Sequence, residues 1–187
     1  PQFRGGAHLT GVAAAEVSDS LSLAWTYDAG ESIESSAAIA EGTVYVGSQS
    51  GELHAVDLVT GKPRWIYDAG KPIGESSPAV AAVAVYIGDL WGTVHAVNTE
   101  DGSVRWKFET ESEIKASPVV VDGKVLIGSY DGFFYGINAE TGEMTWSVET
   151  EGPVHATPAI GGDVAYISGC DGYLRGISIR DGYELFN

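Results

Sequence analysis

The chain has 187 residues, of which 44% are hydrophobic and 25 are glycine, a composition that excludes intrinsic disorder and favours many tight turns between short elements. Twenty-six acidic residues face ten basic ones, giving a formal charge of −16; such a surface repels phosphate backbones, so neither nucleic acid nor an anionic membrane surface is an expected partner. A single cysteine, Cys170, excludes an internal disulfide, and no apolar run reaches the roughly eighteen residues of a membrane span.

Residues 1–20 read as a lead segment. Its opening, Pro1-Gln2-Phe3-Arg4-Gly5-Gly6, lacks the basic-then-apolar pattern of a secretion signal, so the chain is either cytoplasmic or one from which a signal is removed. Residues 21–28 read as an outer strand around Trp25, and four units follow at about 33–67, 74–108, 114–148 and 154–187. Trp25, Trp65, Trp106 and Trp146 recur every 40 or 41 residues, and Phe186 takes the next place. Gly51, Gly92, Gly132 and Gly172 keep the same step, as do Gly61, Gly102, Gly142 and Gly182, and Ser36, Ser77, Ser117 and Thr157. A period near 40 residues marks a solenoid or a propeller. In the second unit, residues 77–82 form a short apolar run, 84–88 a second strand, 93–98 a third and 104–108 a fourth. Alternating β-branched and aromatic residues bounded by Gly and Asp fit strands rather than helices, and four strands per repeat make a blade. The expected fold is all-β, a β-propeller of four-stranded antiparallel blades with four blades in this chain.

Turn chemistry agrees. In Asp57-Leu58-Val59-Thr60-Gly61 the carboxylate caps the turn and Gly61 supplies a positive φ; the later copies begin at Asn98, Asn138 and Ser178. The repeated tryptophans Trp25, Trp65, Trp106 and Trp146 read as structural, each docking a flat ring between blades. The stretch Ala55-Val56-Asp57-Leu58-Val59-Thr60-Gly61-Lys62-Pro63-Arg64-Trp65 resembles the tryptophan-docking motif of the pyrroloquinoline-quinone (PQQ)-dehydrogenase-like repeats. The copies ending at Trp106 and Trp146 match well, and the fourth is degraded to Gly176-Ile177-Ser178 and Phe186. The resemblance spans residues 21–187; it implies the fold strongly and the activity weakly, since one fold hosts many functions. The opening segment also resembles the one before the first blade in exported members, which implies a periplasmic or extracellular location and a natural amino end nearby.

Four blades make either a small closed ring or half of an eight-bladed one. The strand expected at 21–28 precedes any inner strand, and the last unit has its own outer strand only as Tyr183-Glu184-Leu185-Phe186-Asn187, which stops abruptly. The expectation is half a ring, completed by a homodimer or by missing blades of a longer chain, because an open half leaves strand edges and apolar faces in water. In the homodimer each copy lends residues 21–28 to the other's last blade.

Loops before the inner strands and between second and third strands share one face, the mouth of the central channel. Positions there that change from unit to unit are Glu34, Glu75, Lys115 and His155 in one series and Gln49, Leu90, Tyr130 and Cys170 in the other, with Trp91 beside Leu90. Polar identities that vary on a constant scaffold read as a channel-mouth binding site for a protein or small-molecule partner, or as solvated loop residues without a ligand. Lys115 and His155 either meet an anion between blades or offset the glutamates. His54 and His95 read as packed strand residues, and no two histidines have metal-ligand spacing. Asp131-Gly132 and Asp171-Gly172 lack the dense oxygen series of a calcium loop and read as turns. Cys170 is a nucleophile only with a base beside it, for which His155 is the candidate, and otherwise an inert thiol.

No catalytic constellation and no metal site is read from these residues, so the leading function is a non-catalytic binding or scaffold module without a cofactor. The resemblance implies one alternative, a fragment of a PQQ-dependent alcohol or sugar dehydrogenase. Its cofactors would be PQQ and calcium, with the quinone held against a vicinal disulfide or similar platform and a carboxylate base nearby; a chain with one cysteine lacks the disulfide. A purely structural half-propeller that self-assembles is the third reading.

Overall fold

A computed structural model of the chain describes residues 2–3, 6–12 and 19–187; the parts of the lead segment at 1, 4–5 and 13–18 lie outside the described residues. Blade 1 is β1 (Ala38–Ala40), β2 (Thr43–Gly47), β3 (Glu52–Asp57) and β4 (Pro63–Asp68). Blade 2 is β5 (Ala79–Ala81), β6 (Ala84–Gly88), β7 (Thr93–Asn98) and β8 (Val104–Glu109). Blade 3 is β9 (Val119–Val121), β10 (Lys124–Gly128), β11 (Phe133–Asn138) and β12 (Met144–Glu149). Blade 4 is β13 (Ala159–Gly161), β14 (Val164–Ser168), β15 (Leu174–Ser178) and β16 (Glu184–Phe186). Each blade is one antiparallel sheet with its strands in chain order, the four-bladed arc of a propeller. No helix among the described residues is long and apolar enough to cross a membrane.

The hydrophobic cores lie between blades rather than within them. One layer joins Tyr45, Leu53 and Tyr67 of blade 1 to Ile73, Val85 and Ile87; a second joins Tyr86, Val94 and Trp106 to Ile114, Val125 and Ile127; a third joins Leu126, Phe134 and Trp146 to Val154, Ile167 and Ile177. A sheet packed on both faces needs apolar residues on both, which is why β6 is buried at all five positions and shows no alternation. The outer strands β8 and β12 face solvent on one side and do alternate, burying Trp106 and Trp146 between exposed neighbours.

Every blade bends at one place. The register of third and fourth strands shifts after Ala55, Ala96, Gly136 and Gly176, each of which stands opposite Trp65, Trp106, Trp146 or Phe186. Such a bulge re-aims the strand, and the small residue gives the ring room: a Cβ on Gly136 would lie 2.3 Å from the Trp146 ring. Each indole then reaches the turn of the next blade and donates from Nε1 to a carbonyl there: Trp25 to Leu58, Trp65 to Thr99, Trp106 to Ala139 and Trp146 to Ile179, at 2.9–3.1 Å.

Among the described residues no strand pairs with 21–28; the outer strand expected there is that of the last blade of a completed ring, and the Trp25 indole bonds as its later copies do. The turn cap moves. Asp57 Oδ1 accepts the N–H of Val59 and Thr60, and Asn138 Oδ1 accepts those of Glu140 and Thr141. In the turns that begin at Asn98 and Ser178 the capping carboxylate is instead Asp101 or Asp181, accepting from Ser103 or Tyr183. The Arg64 guanidinium and the Thr60 bonds hold the Asp57 carboxyl well below the usual carboxylate range. Of the lead segment, Ala7 O accepts the Ile160 N–H and Gln2 Oε1 the Val120 N–H, so these two residues lie beside the innermost strands β13 and β9.

Candidate functional site

Four tight turns, 48–51, 89–92, 129–132 and 169–172, carry one series of the positions expected at the channel mouth, each closed by the glycine N–H donating to the first carbonyl of its turn. That carbonyl also stitches blades together: Ser48, Asp89 and Ser129 accept the N–H of Ile73, Ile114 and Val154 of the following blade. The N–H groups of Gln49, Leu90, Tyr130 and Cys170 donate to Ser32, Pro72, Glu113 and Pro153, just ahead of Glu34, Glu75, Lys115 and His155. The backbone thereby sets the two variable series side by side.

Side chains of three blades meet there. Lys115 Nζ lies 4.9 Å from the centre of the Tyr130 ring and 3.5 Å from Glu113. Tyr130 Oη lies 3.2 Å from His155 Nδ1, and His155 Nε2 lies 2.8 Å from Glu75 Oε2 on blade 2. Tyr130 beneath it, with Glu113 and Glu75, holds the Lys115 ammonium above its ordinary pKa against slight desolvation. Lys115 and His155 are thus both engaged with glutamates. Glu75 and His155 are each about half exposed, and a polar pair so placed contributes under about 1 kcal/mol to stability.

The remaining positions take other partners. Gln49 Nε2 donates to Glu34 Oε2 at 2.8 Å, a separate pair on blade 1. Leu90 covers Gly74, and exposed Trp91 carries Lys71 Nζ 3.6 Å over its ring, a cation–π contact. Cys170 is an exposed thiol. Tyr130 and Glu75 occupy both ring nitrogens of His155, which leaves none to activate Cys170.

The same turns anchor a polar layer missed in the sequence. Tyr67 Oη meets His95 Nδ1 at 2.8 Å and His95 Nε2 meets Asp89 Oδ2 at 2.9 Å, all buried. Tyr135 donates to Asp131, and Arg175 pairs with Asp171. The signal was a turn aspartate followed a few residues later by His, Tyr or Arg. Burial, then the Asp131 bond, pushes the Tyr135 hydroxyl well up. For Asp89, burial acts upward, but bonds from His95, Thr93 and Trp91 outweigh it and hold the carboxyl below its usual value.

The residues present do not fit the quinone and calcium of the dehydrogenase alternative. Cys170 has no second cysteine to pair with, and among the described residues no three His, Cys, Asp or Glu side chains converge as an ion site.

The family described as outer membrane protein assembly factor BamB matches residues 10–89 and 68–187. No curated protein matches the sequence. Among solved structures the chain is similar to BamB from Moraxella catarrhalis at 25% identity and a TM-score of 0.78, covering 87% of this chain and 52% of that one. The quinohemoprotein alcohol dehydrogenase from Comamonas testosteroni is 18% identical with a TM-score of 0.77, covering 88% of this chain and 36% of that one. The computationally designed Ika4 protein is 18% identical with a TM-score of 0.73, covering 81% of this chain and 94% of that one. The last two likenesses are of fold alone. The chain spans about half the length of BamB and about a third of the dehydrogenase.

Proposed function

Because this chain belongs to the family of the outer membrane protein assembly factor BamB, we propose that it is a non-catalytic scaffold module of outer-membrane protein assembly. It holds a protein partner at the channel mouth, in the periplasm or outside the cell, and needs no cofactor. The observation that carries this reading is the convergence of Glu75, Lys115, Tyr130 and His155 from three blades. These side chains differ between repeats, and their mutual contacts contribute little to stability, so their chemistry is free to serve recognition. A surface of charge −16 favours a partner whose docking face is basic. A second copy of the chain completes the ring to which this mouth belongs.

Crosslinking of the purified chain to purified outer-membrane assembly proteins of the same source tests the reading. The Tyr130→Ala, His155→Ala double variant is expected to lose at least about tenfold in crosslinked partner, while its unfolding free energy in urea stays within about 0.5 kcal/mol of the parent. Dye reduction by an alcohol or sugar after adding PQQ and calcium would overturn the reading in favour of a dehydrogenase fragment.

A further inference from the structure

The two ends of the arc expose what its interior buries. Ile73, Ile114 and Val154 are 0% exposed at the three inner interfaces, while the equivalent Ile33 of blade 1 is 46% exposed. Leu53, Val94 and Phe134 are 0% exposed, while the equivalent Leu174 of blade 4 is 58% exposed. A groove of about 390 Å³ lined by Trp25, Tyr27, Ile33 and Val44 opens on the blade 1 face.

Hydrogen bonding at the two ends is complementary as well. The Ser36 N–H donates to Ser77 Oγ, the Ser77 N–H to Ser117 Oγ and the Ser117 N–H to Thr157 Oγ1, at 2.9–3.1 Å, a chain of hydroxyls linking each blade to the next. One end of that chain is the Thr157 N–H and the other is the Ser36 hydroxyl. Among the described residues neither takes such a bond. Residues 21–28 complete the pattern: Trp25 is docked like Trp65, and Tyr27 Oη meets His54 Nδ1 as Tyr67 meets His95, yet the segment has no third strand beside it.

We infer that a second copy of this chain docks head to tail, blade 4 of each copy against blade 1 of the other. Ser36 of one copy caps the Thr157 N–H of the other, and residues 21–28 of one copy pair with β15 of the other. β16 holds that place within a single chain, but it pairs with β15 at two positions where β3 and β4 pair at five, so the docked segment displaces it. Heterologous contacts of this kind close a ring when the rotation allows, here with four blades from each copy. The inference deepens the ring completion of the proposed function. It adds one consequence for the mouth: Cys170 stands beside Glu34 of the second copy, as Tyr130 stands beside His155.

Light scattering at low and high salt decides first, since the −16 charge opposes association until screened. A two-chain mass in high salt is expected; a one-chain mass in both overturns the inference. Ile33→Asp and Leu174→Asp each change a side chain already exposed in the single chain, so the far-UV spectrum is expected to stay while the mass halves. A two-chain mass retained by either variant shows the wrong faces. Phe186→Asp is expected to keep the two-chain mass and Trp25→Ala to lose it; the reverse overturns the exchange of residues 21–28. A short bismaleimide is expected to join Cys170 to Glu34→Cys as a covalent two-chain product, and no product overturns the head-to-tail arrangement. None of these readouts involves a bound partner, so failure here is distinguishable from failure of the channel-mouth reading.

Discussion

Gly142 takes φ +77°, and a Cβ there would lie 2.7 Å from the Trp106 ring. Gly142→Ala therefore adds left-handed backbone strain to displacement of the docked indole and is expected to cost about 3 kcal/mol in urea unfolding. Gly162, at φ +59° with open space around it, separates the two effects: Gly162→Ala is expected to cost about 1 kcal/mol. Equal losses would mean that indole contact adds nothing. His54 is buried, and its Nε2 has no hydrogen-bond partner, with the nearest carboxylate, Glu52, 3.7 Å away. Burial pushes its pKa down against the pull of Glu52. The unfolded chain therefore binds more protons just below the ordinary value of about 6.5, and stability falls as pH drops through that window. Urea midpoints at pH 8 and pH 5 are expected to differ less in His54→Gln than in the parent, and an unchanged difference would assign the dependence elsewhere. The Tyr–His pair recurs as Tyr27–His54 and Tyr67–His95, but Ser48 stands where the next blade has Asp89, so periodicity made legible neither the orphaned nitrogen of His54 nor the Asp89 end of the Tyr67–His95–Asp89 link.

At the scale of the element, a blade is a sheet that needs its neighbour. Trp106 is nearly buried between blades 2 and 3, whereas Trp25 lies half-buried beside a groove. Trp106→Ala is expected to cost about 3–5 kcal/mol and Trp25→Ala less than half as much in the single chain, by chemical denaturation. Similar losses would mean that the segment at 21–28 is already fully packed. Strand positions were readable because the alternation and the turn residues recur four times. Trp25 carries the mark of a fourth strand at 21–28, but a ladder there also requires a third strand beside it, which the pattern of those eight residues cannot supply. The series Ser36, Ser77, Ser117 and Thr157 was visible as a repeat, but its use in capping the preceding blade depends on how blades stack.

For the whole molecule, 26 carboxyl side chains against ten basic ones make self-repulsion an opponent of folding. Raising ionic strength from about 0.01 M to 0.15 M shortens the screening length from about 30 Å to 8 Å. The melting temperature is expected to rise by about 3 °C, near 1 kcal/mol for a chain of this size; a flat response would show that the charges are spaced widely enough not to matter. The all-β class, the four blades, their strand order and the period of the tryptophans were all readable before any folding was considered. Those follow from local period, turn chemistry and burial, which every repeat restates within about 40 residues. Folding in three dimensions was needed to bring His155 of blade 4 to Glu75 of blade 2, to occupy both nitrogens of His155, and to leave Ile33 and Leu174 open at opposite ends. Those depend on distances between residues far apart in the chain, set by how blades pack rather than by what any one blade contains.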